Sequence, residues 1–249
     1  MTEDPAAAHH PHARGGSLPR GRSDTTPDVG LLLGAKGLLF DNDGVLVDSE
    51  PSVVRSWTRW ARDCGLDPAE VMAAVPGRRA ADTVALFVGA DQVDRAVALI
   101  TRYELEDVAA TTAVAGVREL VPQLAGVPWA VVTSGVRELA TARLAAAGVP
   151  LPDVLVTAED VSAGKPHPEP YLTGAARLGL APADLVVLED SPSGVAAGLA
   201  AGCAVLGIGE AALGTRATAV VRDLTGARWT GEGLLLPGAA VLRSPRGDD

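Results

Sequence analysis

Cysteine, aromatic residues and basic charge are all scarce in this sequence of 249 residues. The two cysteines, Cys64 and Cys203, allow at most one disulfide and show no metal-type spacing, so we expect buried thiols in a reducing compartment. Aromatic residues make up only 3% of the chain. This leaves few rings to stack on a nucleobase or an aryl group.

Basic side chains are outnumbered by acidic ones, 21 to 31, which gives a formal net charge of −10. A strongly acidic protein repels nucleic acid backbones and anionic membrane surfaces, so we expect neither as a partner. No apolar run approaches the ~20 residues of a membrane span, and the first residues contain no apolar signal-peptide core. We therefore expect a cytoplasmic protein, and nothing in the sequence indicates an obligate protein partner.

Short apolar runs alternate with Ala-rich amphipathic segments, and hydrophobic residues make up 47% of the chain, which excludes a wholly disordered protein. Continuous apolar strands separated by helices predict an α/β, Rossmann-like fold, in which helices cover both faces of a parallel sheet. The predicted strands are residues 36–40, 129–132, 154–156, 185–188 and 204–208. The predicted helices between them are residues 117–125, 136–147, 168–178 and 191–201.

Two segments depart from this alternation. Residues 1–35 are rich in Ala, His, Pro, Gly, Arg and Ser without apolar periodicity, which predicts a disordered tail. Residues 51–112 contain four helical patterns and no convincing strand, which predicts a small inserted helical domain. The α/β core is then formed by residues 36–50 and 113–242, with a frayed terminus beyond.

Carboxylates follow two of the predicted strands. Asp41 and Asp43 come after the first strand, and they face the same way because side chains alternate along a strand. Two carboxylates this close need a cation or a shared proton, although an Asp-Gly pair is also typical of a solvated turn. Glu189 and Asp190 follow the fourth strand, and ligands bind where the carboxyl ends of parallel strands meet. Asp41, Asp43 and Asp190 are therefore candidate Mg²⁺ ligands.

Hydroxyl groups and a lysine follow two other predicted strands. Thr133 and Ser134 lie just before a helix, where hydroxyl and amide groups form either an anion site or an ordinary N-cap. Lys165 is held between Gly164 and a proline-rich stretch, so its ammonium group has a fixed direction. An acidic chain needs such a local positive group to hold an anionic substrate.

Four motifs therefore occur in order, each after a predicted strand: DNDG at 41–44, TSG at 133–135, GKPHPEPY at 164–171 and EDSPSG at 189–194. With these motifs the sequence resembles the haloacid dehalogenase superfamily, in its branch of small sugar-phosphate phosphatases and β-phosphoglucomutase-like proteins. The resemblance covers residues 36–208. It implies a Rossmann-like core with an all-helical cap, to which residues 51–112 correspond.

The resemblance implies a catalytic role for four residues. Asp41 corresponds to the family's nucleophile. Asp43 corresponds to the general acid/base, whose backbone carbonyl also binds Mg²⁺. Lys165 corresponds to the motif lysine, and Asp190 corresponds to the last metal carboxylate, with Glu189 beside it.

The resemblance also implies how substrate is bound. Thr133 corresponds to the small hydroxyl residue that contacts the phosphate, and Ser134 supplies a backbone amide. Arg78 and Arg79 lie in a segment that resembles the cap loop reaching down to the substrate. The ligand implied is a small phosphorylated metabolite.

The implied function is Mg²⁺-dependent hydrolysis of a small sugar or polyol phosphate monoester through an aspartyl-phosphate intermediate. Asp43 disfavours dehalogenation, because a departing halide needs no proton. Mutases of the β-phosphoglucomutase type carry a histidine in the first cap helix, and residues 48–54 contain none. A sugar-phosphate mutase and a cyclitol phosphate phosphatase of secondary metabolism remain alternatives, whereas a binding protein on an inactive scaffold has no need for Asp43.

Overall fold

The central element of the fold is a mostly parallel sheet, seen in a computed structural model that describes residues 30–245. Seven strands within those residues form it, in the spatial order β12 (Val241–Arg243), β9 (Ala219–Val221), β8 (Ala204–Ile208), β7 (Leu185–Glu189), β2 (Gly37–Phe40), β5 (Trp129–Val132) and β6 (Val154–Val156). Neighbouring strands run parallel, except that β12 pairs antiparallel with β9. The predicted α/β fold is confirmed.

Both faces of this sheet are covered, because each buried strand sends alternate apolar side chains to opposite sides. Leu38 and Phe40 of β2 belong to one core cluster with Leu144, whereas Leu39 belongs to a second cluster with Tyr171. The covering helices are α5 (Val117–Leu120) and α6 (Arg137–Ala147) on the first face, and α7 (Glu169–Leu178) and α8 (Pro192–Ala200) on the second.

Local sequence signals explain where these helices begin and end. Helices α6 and α7 stop at Gly148 and Gly179, which both adopt a left-handed conformation with φ of 69°, as helix C-terminal glycines do. Helix α8 begins after Ser191, whose hydroxyl accepts a hydrogen bond from the Gly194 amide at 3.1 Å. The predicted bounds of all three helices are correct to within one residue.

A helical insert, defined here as residues 49–111, lies between two short strands that pair antiparallel at its base, β3 (Val47–Asp48) and β4 (Thr112–Ala113). The chain therefore leaves and re-enters the core at one place. The insert's α-helices are α1 (Glu50–Asp63), α2 (Pro68–Ala74), α3 (Ala80–Val84) and α4 (Val93–Glu106). They enclose their own hydrophobic cluster, which contains Trp60, Ile100 and Tyr103.

The core begins with a strand at Leu31 rather than at residue 36, and its last strand ends at Arg243, one residue beyond the expected end at 242. Residues 1–29 of the expected tail lie outside the described residues, but β1 (Leu31–Gly34) is a strand that pairs antiparallel with β11 (Gly233–Leu236), which in turn pairs with β10 (Arg228–Trp229). Leu33 is buried there, so this short apolar run is part of the core. Arg243, where fraying was expected to begin, donates hydrogen bonds to three backbone carbonyls.

Both cysteines are free thiols, as a reducing compartment would leave them. Cys203 is buried and Cys64 is exposed, so the expectation of burial is wrong for Cys64 at the end of α1. In the part of the chain that the structure describes, every helix is too short or too polar to cross a membrane.

Candidate active site

Three adjacent strands of the central sheet, β7, β2 and β5, bring the candidate residues to one edge. Asp41 follows β2, Thr133 follows β5, and Asp190 follows β7. Strand β2 is flanked by strands on both sides that come later in the chain, and such a crossing point is where open α/β sheets bind ligands. The sequence motifs therefore converge because of the strand order.

Lys165 is buried at this edge, with its side chain 1% exposed. Its Nζ donates hydrogen bonds to Asp41 Oδ1 at 2.8 Å, Glu189 Oε1 at 2.6 Å and the Val132 carbonyl at 3.2 Å. Burial opposes the positive charge, but the carboxylates of Asp41 and Glu189 outweigh it and raise the pKa of Lys165. The lysine therefore remains an ammonium group that holds the Asp41 side chain in place.

Glu189 is the second anchor of Lys165, a role that the sequence did not assign to it. Its carboxylate is fully buried and also accepts hydrogen bonds from Tyr171 Oη at 2.7 Å and Ser191 Oγ at 3.0 Å. Gly194 packs directly against this carboxylate, where any side chain would collide with it. The EDSPSG motif thus builds a pocket for Glu189 as well as supplying Asp190.

Three carboxylates crowd together beside Lys165. Asp41, Glu189 and Asp190 each offer one oxygen, and these oxygens lie within 4.8 Å of one another. Burial, opposed by Lys165, raises the pKa of Asp41 to about 7. Burial and the nearby charges of Glu189 and Asp41 raise the pKa of Asp190 to about 8. When all three carboxylates are ionised, one lysine does not balance their charge, and hard oxygen donors of this kind fit a divalent cation.

The Asp43 side chain makes its hydrogen bond and ion pair with residues outside that carboxylate cluster. Its Oδ1 accepts hydrogen bonds from Ser49 Oγ at 2.5 Å and forms an ion pair with Arg143 Nη1 at 2.9 Å. Arg143 in turn contacts Glu104 of the insert at 3.1 Å. Arg143 and Glu104 were not predicted from the sequence, although a charged residue on the otherwise apolar face of a helix is a signal that indicates such a pair.

Thr133 and Ser134 line the cavity beside the carboxylates. Thr133 is buried and accepts a hydrogen bond from the Gly135 amide at 3.0 Å. The Ser134 hydroxyl donates to the Gly77 carbonyl of the insert at 2.9 Å. The first amide of α6, that of Arg137, donates to the Glu159 carboxylate, so it is already occupied.

A cavity of about 680 Å³ lies between the core and the insert. Six of the predicted site residues line it: Asp41, Asp43, Arg78, Thr133, Ser134 and Asp190. Lys165 lies beneath its floor, behind Asp41. The structure does not bring Arg79 to the cavity wall, because its guanidinium donates to the Asp82 carboxylate at 2.7 Å and to the Ser162 carbonyl at 3.1 Å.

Known proteins are similar to this chain in sequence and in fold. The family of haloacid dehalogenase-like hydrolases matches residues 35–202. Hexitol phosphatase A of Escherichia coli (strain K12) is 48% identical over 178 residues, which cover 70% of this chain and 82% of that protein. Validoxylamine A 7'-phosphate phosphatase of Streptomyces hygroscopicus subsp. limoneus is 39% identical over 206 residues, which cover 78% of this chain and 96% of that protein.

Among solved structures, a HAD family hydrolase from Deinococcus radiodurans R1 with bound phosphate and sodium matches with a TM-score of 0.55 at 32% identity. The match covers 78% of this chain and 92% of that one. The chain therefore belongs to the haloacid dehalogenase-like hydrolases. The resemblance and the prediction of a phosphatase-type enzyme are confirmed.

Glu189→Gln tests whether the buried ion pair organises the site. Removing the charge of one partner leaves Lys165 partly uncompensated in the interior, so we expect the free energy of unfolding to fall by about 3 kcal/mol. Urea denaturation measures the change. The matched control is Glu106→Gln, which removes the exposed pair with Arg59 and should leave the denaturation midpoint nearly unchanged. Equal effects of the two substitutions would contradict this account.

Proposed function

We propose that this protein is a Mg²⁺-dependent phosphatase that hydrolyses a small sugar or polyol phosphate monoester. The observation that carries the proposal is the Asp41 carboxylate, held by buried Lys165 at the floor of a cavity large enough for such a substrate. The helical insert lines part of that cavity, and we assign it as the cap domain. The core domain begins at β1.

The carboxylate cluster is the proposed metal site. Asp41, Asp190 and the backbone carbonyl of Asp43 would hold Mg²⁺, whereas both Glu189 oxygens are already engaged by protein donors. Among the described residues the Asp190 carboxylate has no hydrogen-bond partner, so its oxygens are available to bind a cation. When bound, Mg²⁺ would offset negative charge on the transferred phosphoryl group.

The proposed chemistry has two displacements at phosphorus. Lys165 holds Asp41 by Oδ1, so the other carboxylate oxygen attacks, forming an aspartyl-phosphate and breaking the bond to the leaving oxygen. Asp43 gives that oxygen its proton, and then takes a proton from the water that attacks the aspartyl-phosphate. The second step releases inorganic phosphate and restores both carboxyl groups. Proton transfer of this kind contributes about 100- to 10,000-fold in rate.

The cavity walls and the relatives support the substrate class. The two curated relatives are named for a hexitol phosphate activity and for validoxylamine A 7'-phosphate. Trp57 is the one aromatic side chain among the described residues lining the cavity, so there is little surface on which to stack a base. Arg78 also lines the cavity and is proposed to contact the substrate, whereas Arg79 joins the cap loop to the core through the Ser162 carbonyl.

The mutase alternative is disfavoured by the first cap helix. Helix α1 turns Val53, Val54 and Trp57 to the cavity, and among the described residues no histidine lines the cavity. Water is then the better acceptor. A cyclitol phosphate remains within the proposed substrate class, because the validoxylamine phosphatase covers most of this chain.

Asp41→Asn should abolish turnover, because a carboxamide oxygen is a poor nucleophile and lacks the charge that pairs with Lys165. Release of phosphate from p-nitrophenyl phosphate measures the loss. Asp184→Asn is the control: it removes a surface pair with Lys36, far from the cavity, and should keep full activity. Substantial activity in purified Asp41→Asn would contradict the mechanism.

A panel of phosphate monoesters tests the substrate class. Hexitol, glycerol, deoxysugar and cyclitol phosphates should be hydrolysed with higher kcat/KM than nucleoside monophosphates, because the cavity lacks a stacking surface. Removing Mg²⁺ with EDTA should abolish activity and adding excess Mg²⁺ should restore it. Preference for nucleotides, or full activity in EDTA, would contradict the proposal.

A further inference from the structure

Arg143 of α6 is a buried arginine that the proposed mechanism leaves without a role. Its side chain is 4% exposed and lies between two carboxylates, with Nη1 2.9 Å from Asp43 Oδ1 and Nη2 3.1 Å from Glu104 Oε1. Its Nε is buried without a hydrogen-bond partner in the part of the chain described. The position of the guanidinium is therefore set by these two carboxylates.

The contact makes the two oxygens of Asp43 unequal. Oδ1 forms an ion pair with Arg143 at 2.9 Å and accepts a hydrogen bond from the Ser49 hydroxyl at 2.5 Å. Among the described residues, Oδ2 receives a hydrogen bond only from the side-chain amide of Asn42, at 3.3 Å, which is long and weak. With two donors directed at Oδ1, Oδ2 is the less engaged oxygen and the one left to contact a leaving group.

Glu104 anchors the guanidinium from the other side. It belongs to helix α4 of the insert and is only 6% exposed. A buried arginine is stable only when its charge is compensated, and Glu104 provides this compensation independently of Asp43. The Arg143–Glu104 pair also joins the core to the insert beside the acid/base, since Arg143 belongs to the core.

We propose that Arg143, anchored by Glu104, is a positioning residue that turns Asp43 so that Oδ2 exchanges the proton with the leaving group. This inference rests on the proposed phosphatase function. Its effect depends on the leaving group, because an alkoxide needs a proton to depart and p-nitrophenolate does not. Loss of general structure would slow both reactions alike.

The experiment compares leaving-group release in a single turnover of Arg143→Met at saturating Mg²⁺, with glycerol phosphate and with p-nitrophenyl phosphate. Misplacing an acid typically costs about 10- to 100-fold, so we expect that loss for glycerol phosphate and at most about threefold for p-nitrophenyl phosphate. Arg143→Lys should recover part of the glycerol phosphate rate. Glu104→Ala should show the same selectivity with a smaller loss.

Arg118→Met is the matched control. Arg118 donates a hydrogen bond to the carbonyl of Ala147, the last residue of α6, so its substitution should change neither rate. Equal losses for the two esters, or no loss, in Arg143→Met would overturn the inference and leave the phosphatase proposal standing. If Arg143→Met does not fold, the ratio of the two rates in Arg143→Lys and Glu104→Ala decides in the same way. Failure of the unmodified protein to hydrolyse either ester would overturn both proposals.

Discussion

The buried ammonium group of Lys165 is the interaction on which the site depends. It holds Asp41 and Glu189 together at 2.8 and 2.6 Å, and the side chains of Lys165 and Glu189 are almost fully buried. Charges buried in this way are tolerated only when they are paired and hydrogen-bonded, and Tyr171 and Ser191 complete the bonding of Glu189. With Asp190 nearby, three carboxylates share one lysine, so full ionisation of the cluster is unfavourable and the pKa values of Asp41 and Asp190 are raised. A metal ion would balance the charge of the ionised cluster.

Much of the fold follows from local sequence. Strands such as Leu185–Glu189 are continuous apolar runs, and helices such as Arg137–Ala147 end at a glycine, so both were predictable within about a residue. The site edge was also predictable, because polar residues come where parallel strands end. By contrast, Leu31–Gly34 becomes a strand only by pairing with residues 233–236, and no short-range pattern reports a partner two hundred residues away.

The pairings inside the site are the part that sequence could not supply. Glu189 and Asp190 are adjacent acidic residues that the sequence does not distinguish. Because side chains alternate at the end of β7, Glu189 faces Lys165 and Asp190 faces the cavity. Arg143 and Glu104 lie on different helices of the core and the insert, and they meet only because the insert packs over the sheet edge. Arg79 was expected at the substrate, but it precedes α3 and forms an ion pair with Asp82 of that helix.

The central claim is that Asp41 accepts the phosphoryl group, and trapping it there is the most direct test. An Asp43→Asn variant mixed with p-nitrophenyl phosphate and Mg²⁺ forms the intermediate without needing an acid, and lacks the base that would help water to remove it. After an acid quench, peptide mass spectrometry should find one phosphoryl group on Asp41. Release of phosphate without any such adduct, or an adduct on another residue, would contradict the account.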